Sequence, residues 1–351
     1  MTKSPETVPL ERLEGFIARA FEACGMPGAN GRAAAELMAR ADSMGQDGHG
    51  VFRLPMYIRR IQDGGMNVAP TFREIENRTA TALVDGDNGL GHLVMRHATE
   101  LAIEKARTTG VAWVGVRHSN HAGPAALYAM MPLAHDMIGL YVAVGSANHL
   151  PPWGGTEMLL STNPIAVAIP AANNPPIVLD MATTVAAYGK VKTAAQRGET
   201  MPEGWMIDKN GEPLTDPTRA AEGFLLPIGG AKGYGLALIF GILAGTLNGA
   251  AFGRDVVDFN ADSKTLTNTG QFIVALDIKA FTDPDQFKLG IDQVYSELKS
   301  SPLLPGVDEI RLPGERLHRI TTERRAGGIP LAAPLVAQLA QLADDLGIEP
   351  L

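Results

Sequence analysis

Cysteine is nearly absent. Cys24 is the single one in 351 residues, which excludes an intrachain disulfide and a cysteine-rich zinc site and fits a reducing cytosol. A basic excess is lacking as well: 30 Lys and Arg against 38 Asp and Glu leave a net charge of −8. That argues against a general nucleic-acid binder, whose non-specific affinity comes from clustered cations. No apolar leader opens the chain, because MTKSPETVPLERLEGF carries acidic residues early; it does not read as a secretory signal, and a cytoplasmic protein is expected. Three common site patterns are missing too. G-x-G-x-x-G fails at Gly89-Leu90-Gly91, which continues to Val94, and at Gly233-Tyr234-Gly235, which continues to Leu238. The Walker phosphate loop does not occur, and Ser43, Ser119 and Ser146 all lack the G-x-S-x-G elbow of a hydrolase nucleophile.

One uncharged run is apolar enough to suggest a membrane span. GYGLALIFGILAGTLNGAAFG, Gly233 to Gly253, is about as long as a membrane span and repeats glycine at 241, 245, 249 and 253. It stands alone and is diluted by glycine, so a buried helix approached closely by another backbone is expected, and no membrane partner.

What is present is ordinary for a globular chain: 45% apolar residues, 19% charged residues, and enough length for a sizeable core. Helical spacing in PLERLEGFIARAFEACG and GRAAAELMARADSMG predicts two helices, and a third begins near Pro55 and stops at Gly64-Gly65. TALVDGDNGLG reads as strand and turn, and HLVMRHATELAIEKARTTG as a helix ended by Gly110. VAWVGV, MIGLYVAVGSA, IAVAIP, PPIVLD and QFIVALDI are short β-rich runs that supply a sheet. GWMIDKNGEPLTDP reads as a hairpin with loops. The closing LAAPLVAQLAQLADDLGI is amphipathic and suits packing on the N-terminal helices.

Among the eight histidines, His118 and His121 have H-x-x-H spacing, but they follow a strand and enclose no glutamate, so no metal site is expected. His49 has company that the others lack. Glycines flank it, and Arg53 and Tyr57 follow at four-residue intervals. Arginine offers a planar fork for a carboxylate, tyrosine a hydroxyl, and histidine a proton near neutral pH. The set fits a small carboxylic acid whose neighbouring carbonyl is reduced; Arg53 and Tyr57 equally suit a solvated helix face. Gly229-Gly230-Ala231-Lys232-Gly233 is a second candidate, a glycine turn with a lysine where a helix start attracts anions. It equally suits a packing turn.

Taken in order, DGHGVFRLPMYIRRI, SNHAG, STNPIAVAIPA, VLDMATT followed by GKV, GGAKGYGLAL and IRLPGER resemble the motifs of the malate/L-lactate dehydrogenase family of non-Rossmann NAD(P)-dependent oxidoreductases. The resemblance spans His49 to Arg316. It implies an α/β (α+β) fold with a helical layer, residues 1–75 with 317–351, on the substrate and dimer side. Residues 76–316 would form a mixed-sheet cofactor-binding region, open to subdivision. It also implies a cytoplasmic homodimer that uses NAD or NADP to interconvert small 2-oxo and 2-hydroxy acids. Reduction of cyclic imino acids is the alternative carried by the LPGER ending, and a catalytically degenerate metabolite-binding homologue is a second.

Carried over residue by residue, His49 matches the proton donor, and Arg53, Tyr57, His121 and Thr162 match substrate-contacting positions. His121, Ser146, Asp180, Met181, Ala182, Lys232 and Gly233 match cofactor contacts, as does the turn Pro313-Gly314-Glu315. Asp180 also matches the residue that supports the histidine in the imine-reducing branch. Gly48 departs from the family pattern, which has serine before the histidine, so a relay through that hydroxyl is in doubt. Both cofactors suit the chain, and Arg117, His118, Lys190, Lys192 and Arg197 are candidates for a 2′-phosphate pocket.

Overall fold

The computed structural model describes residues 6–351. Helices α1 (Leu10–Ala23) and α2 (Gly28–Ser43) fall on the two apolar-periodic stretches, and α3 (Leu54–Gln62) carries Pro55 in its first turn, where no N–H is needed. A seven-stranded sheet follows, with its strands numbered here along the chain. They are β1 (Arg73–Asn77), β2 (Thr81–Asp85), β3 (Val111–Ser119), β4 (Met137–Ala143), β5 (Ile165–Ile169), β6 (Ile177–Met181) and β7 (Thr269–Asp277). Their spatial order is β1-β2-β3-β7-β4-β5-β6, and all neighbours are antiparallel except β2 and β3. That one parallel pair requires a crossover, supplied by α4 (Gly91–Thr109), which Gly110 ends in the left-handed conformation.

The sheet is covered on both faces. Val84, Val114, Val116, Ile273 and Ala275 pack against Val94, Met95, Ala98 and Ala102 of α4 and against the short α5 (Ala126–Ala129). The other face presents Val142, Ile165 and Phe272, and Trp113 stacks on Phe272 at 4.1 Å between ring centroids. Beyond it lie α6 (Tyr188–Arg197) and α7 (Ala231–Ala244), with a hairpin in which Asp208 N–H donates to the Glu212 carbonyl. Then come α8 (Pro284–Lys299), α9 (Glu315–Gly327) and α10 (Ala333–Leu346). Leu339 and Ala343 of α10 share a buried cluster with Leu13, Phe16 and Ile17 of α1 and with Leu54 and Tyr57 of α3. The two ends of the chain thus form one helical layer, stitched further by antiparallel pairing of Glu6–Val8 with Ile329–Leu331.

The glycine-striped run breaks earlier than its length suggests. α7 has 14 residues and stops at Gly245, and Gly249 and Gly253 are left-handed turn residues at φ 66° and 63°. Only Gly241 and Gly245 lie against close neighbours, Phe252 and Asn163 for the first and the Ala251 carbonyl for the second. Among the described residues no helix is long and apolar enough to cross a membrane.

Candidate active site

The segment Asp47–Arg53 forms two single 3₁₀ turns separated by Gly50. A side chain at Gly50 would have to displace the Asp42 carboxyl, because a Cβ there would lie 2.2 Å from it. That carboxyl reaches across from the end of α2 and accepts from the Val51 N–H at 2.7 Å. Burial pushes Asp42 up to about 8, against the pull of the Val51 amide. Arg324 of α9 donates to the Asp42 carbonyl at 2.6 Å and also grips the Asp47 carboxylate. The histidine turn is therefore clamped from both sides. Gly48 differs from Gly50: it is exposed, and a Cβ there would meet nothing within 4 Å.

Four of the expected residues come together. The His49 and His121 rings are near-parallel, 5.7 Å apart. Tyr57, fully buried on α3, bonds through its hydroxyl to His121 Nδ1 at 2.6 Å, and the Gly123 N–H approaches the same nitrogen at 3.4 Å. An N–H must donate, and burial raises the Tyr57 phenol so that it keeps its proton. His121 Nδ1 is then the acceptor and Nε2 carries the hydrogen. Arg53 donates from Nε to the Gly48 carbonyl and from Nη1 to Asn260 Oδ1, both at 2.9 Å, which leaves Nη2 without a partner among the described residues. Burial and the Arg53 charge lower His49 to about 4, and the same two causes, followed by His49 and His92, hold His121 well below its usual value. Both rings are neutral at pH 7.

Several contributors carried no signal in the sequence. Phe259 packs on Tyr57 and His121, at 5.8 and 5.6 Å between centroids, and the fully buried Arg60 lies over its ring at 4.7 Å. Arg60 also donates to the carbonyls of Thr265 at 2.7 Å and Gly65 at 3.2 Å, fixing the 259–265 loop onto α3. His92, at the start of α4, meets the Tyr57 ring edge-on with both nitrogens buried and unpartnered, and burial lowers it to about 3.

The remaining candidates connect to this cluster through the main chain. The Phe259 N–H donates to the Ser146 carbonyl at 2.9 Å. Beside Ser146, a Cβ on Gly145 would meet the hydroxyls of Ser161 and Thr162. The Thr162 carbonyl accepts from the Thr183 N–H at 2.9 Å, and Thr183 follows Asp180, Met181 and Ala182 at the end of β6. The Thr183 carbonyl accepts from Ile228, against which Gly233 packs so closely that a Cβ would lie 2.1 Å from the Ile228 oxygen. Lys232 projects from that first turn of α7, exposed and without a hydrogen-bond or ion-pair partner among the described residues. Pro313 accepts from the Val178 N–H at 3.0 Å, and Gly314, at φ 96°, presses on the same backbone.

Other placements are more local. The Asp180 carboxyl accepts from the Ala126 N–H at 3.1 Å, not from His49, and burial raises it to about 6. Glu315 is engaged by the Leu312 N–H and Lys299, each at 2.8 Å. H-x-x-H divides, since His118 bonds to Asp85 at 2.8 Å while His121 joins Tyr57. Arg117 also pairs with Asp85, at 3.4 Å, whereas Lys190, Lys192 and Arg197 lie on α6, so these cations do not gather in one contact. Among the described residues no three His, Cys, Asp or Glu side chains are grouped to hold a metal ion. The α4 N-terminus, where a glycine fingerprint would cradle a pyrophosphate, is occupied by protein: a Cβ on Gly91 would lie 2.2 Å from the Asn120 carbonyl.

This fold has counterparts among known proteins. A family model described as malate/L-lactate dehydrogenase matches residues 8–340. A malate dehydrogenase of Pyrococcus horikoshii is 37% identical over 350 residues, which cover 97% of this chain and 96% of that protein. The solved sulfolactate dehydrogenase from Methanocaldococcus jannaschii is 35% identical, covers 98% of each chain and has a TM-score of 0.91. A Δ1-piperideine-2-carboxylate reductase from Pseudomonas syringae pathovar tomato is 29% identical with a TM-score of 0.86, covering 96% of this chain and 100% of that one. The chain belongs to the malate/L-lactate dehydrogenase family. It is an NAD(P)-dependent oxidoreductase.

Proposed function

We propose that the protein interconverts a small 2-hydroxy acid and its 2-oxo acid, with His49 exchanging the proton and Arg53 holding the carboxylate. The observation that carries this reading is the convergence of His49, Arg53, Tyr57 and His121 on one cluster, where Arg53 keeps one guanidinium nitrogen free. The residues present fit a dinucleotide: Lys232 offers an unpaired ammonium at a helix start, and Ser146, Asp180, Met181, Ala182 and Gly233 lie along the contacts that lead from it to the histidines. Bound NAD(P) supplies or accepts the hydride at C2 of the acid. Everything else falls to the protein.

In oxidation the neutral His49 ring takes the proton of the C2 hydroxyl as C2 loses its hydride, and Arg53 keeps the carboxylate in place. In reduction His49 must arrive protonated. A substrate carboxylate offsets the Arg53 charge, one of the two causes that lower the ring, and so raises its affinity for a proton. His121, with hydrogen on Nε2, donates toward the substrate oxygen, and Thr162, beside Gly145, is assigned a further substrate contact. Asp180 acts on the histidine side through the Ala126 segment, since its carboxyl bonds to that amide. Pro313-Gly314-Glu315 closes the cofactor side against β6. Gly48 supplies no hydroxyl for a relay, and a Cβ there would meet nothing within 4 Å.

A second reading is reduction of a cyclic imino acid, favoured by the likeness to the piperideine-carboxylate reductase. Absorbance at the reduced-nicotinamide band decides between them, with NADH and NADPH tested against a panel of 2-oxo acids, with and without an amine, and against cyclic imino acids. Turnover of 2-oxo acids alone supports the first reading; turnover confined to cyclic imines replaces it. Nucleotide binding with no turnover of either class would make the chain a metabolite-binding homologue. A cytoplasmic homodimer completes the proposal, supported by the single cysteine and by an apolar face on α7.

A further inference from the structure

A cavity of about 230 Å³ opens between α2, α9 and the edge of β6, lined by Arg40, Arg325, His318 and Thr321 among polar groups. Neither Arg40 nor Arg325 makes a guanidinium hydrogen bond or ion pair among the described residues, although most arginines in contact with acids here do so. The two stand close enough that the Arg325 charge, after burial, weakens the hold of Arg40 on its proton. Glu36 is the acid that opposes this, and it is engaged by Arg96 at 3.2 Å. Glu14 also feels the Arg325 charge, but neither acid forms an ion pair with Arg40 or Arg325, so both guanidinia stay open to an anion.

We propose that this cavity binds a phosphomonoester dianion between the Arg40 and Arg325 guanidinia. A carboxylate has two oxygens and is satisfied by one fork; two forks, an imidazole and hydroxyls facing one space suit the three terminal oxygens of a phosphate. Met44, Met130 and Leu317 line the same cavity and fit the carbon body of the ester. Pro176, Val178 and Gly314 also face the cavity, so its occupant abuts the turn assigned above to the cofactor side. The phosphate comes either from the 2′ position of NADP or from a separate phosphorylated metabolite.

Calorimetric titration of the full chain with inorganic phosphate, and then with NADH and NADPH, tests the site in wild type, R40Q and R325Q. Phosphate affinity is expected to fall roughly ten-fold or more in each variant, with an unchanged thermal midpoint and unchanged NADH affinity. Phosphate that competes with NADPH but not with NADH, together with weaker NADPH binding in the variants, identifies the 2′-phosphate as the source. Phosphate that still binds when NADPH is saturating identifies a separate ester. Equal phosphate affinity in wild type and both variants overturns the proposal, as does absence of phosphate binding with an unchanged ratio of NADPH to NADH affinity. R40K keeps the charge and loses the fork, so it gives the same reading should R40Q not fold. The phosphate titration requires no turnover, so its outcome stands apart from the dehydrogenase reading.

Discussion

At the scale of the residue, His49 derives its character from crowding and from Arg53. An imidazole lowered to about 4 is a base waiting for a proton. Positioned proton transfer contributes roughly 10²–10⁴ in rate, so H49A should reduce turnover by that factor while nucleotide affinity, measured by fluorescence titration, stays within a few-fold. Full turnover in H49A would remove the ring from the mechanism. The same environment gives a second expectation. A substrate-like carboxylate, such as oxalate, settling on Arg53 raises the ring toward its ordinary value of 6.5, so binding at pH 5–6 should take up a proton. Calorimetry in buffers of differing ionisation enthalpy reads that uptake directly, and heats that do not depend on buffer would contradict it. Sequence spacing could bring Arg53 and Tyr57 to the histidine because all three lie within nine residues. It could not bring Asn260, which meets Arg53 across 207 positions, nor Phe259, whose neighbours are set by the buried Arg60.

At the scale of the element, the decisive join is between the end of α2 and the histidine turn. Asp42 makes it with a carboxyl held near 8, so the folded chain keeps a proton that the unfolded chain releases above 3.8. Stability contributed at this site is therefore greatest at low pH, falls as pH rises from 3.8 through 8, and is flat beyond. D42N preserves the acceptor for Val51 and cannot ionise. Urea midpoints of wild type and D42N should coincide near pH 4 and diverge in favour of D42N toward pH 8.5; parallel curves would show that the carboxyl does not titrate in this window. The two glycines of the turn look alike in the sequence and differ in the fold. Gly50 is required by the Asp42 carboxyl, whereas Gly48 faces open space. G48S should accordingly leave the thermal midpoint within about 1 °C to 2 °C, a shift expected for a surface substitution. If the relay is used, G48S also moves the pH profile of turnover, and an unmoved profile would show that His49 works without it. Asp42 escaped the sequence reading because nothing in ADSMGQDGHG marks which acid folds back on the glycine.

At the scale of the whole molecule, the parts of the fold that were legible are those with strong local signals. Both N-terminal helices, the Pro55 helix, the Gly110 stop and six of the sheet's seven strands fall where periodicity and punctuation put them. The edge strand β1, REIEN, was not legible because every residue is exposed and no alternation marks a buried face. α8 buries only Tyr295 and so shows little inward stripe. The strand order was not legible at all, since β7 inserts between β3 and β4 from about 130 residues away, a pairing that no local pattern encodes. α7 raises the remaining question of assembly. It is apolar around its circumference, yet its buried positions are the small residues Gly233, Ala237, Gly241 and Ala244. Three of its large ones point outward, Ile239 at 56% exposure and Leu236 and Ile242 at 38%, and Leu247 in the turn that follows is 60% exposed. Burying what remains exposed of each is worth roughly half of the 1.5–3 kcal/mol of a full burial, so four of them together outweigh a few polar rim contacts and make this face the natural centre of a two-fold contact. I239E places a charge at that centre without touching any buried neighbour in the single chain. Light scattering should find the wild type dimeric at micromolar concentration and I239E monomeric with an unchanged far-ultraviolet circular dichroism spectrum. A monomeric wild type would refute the homodimer, and a dimeric I239E would move the contact to another face.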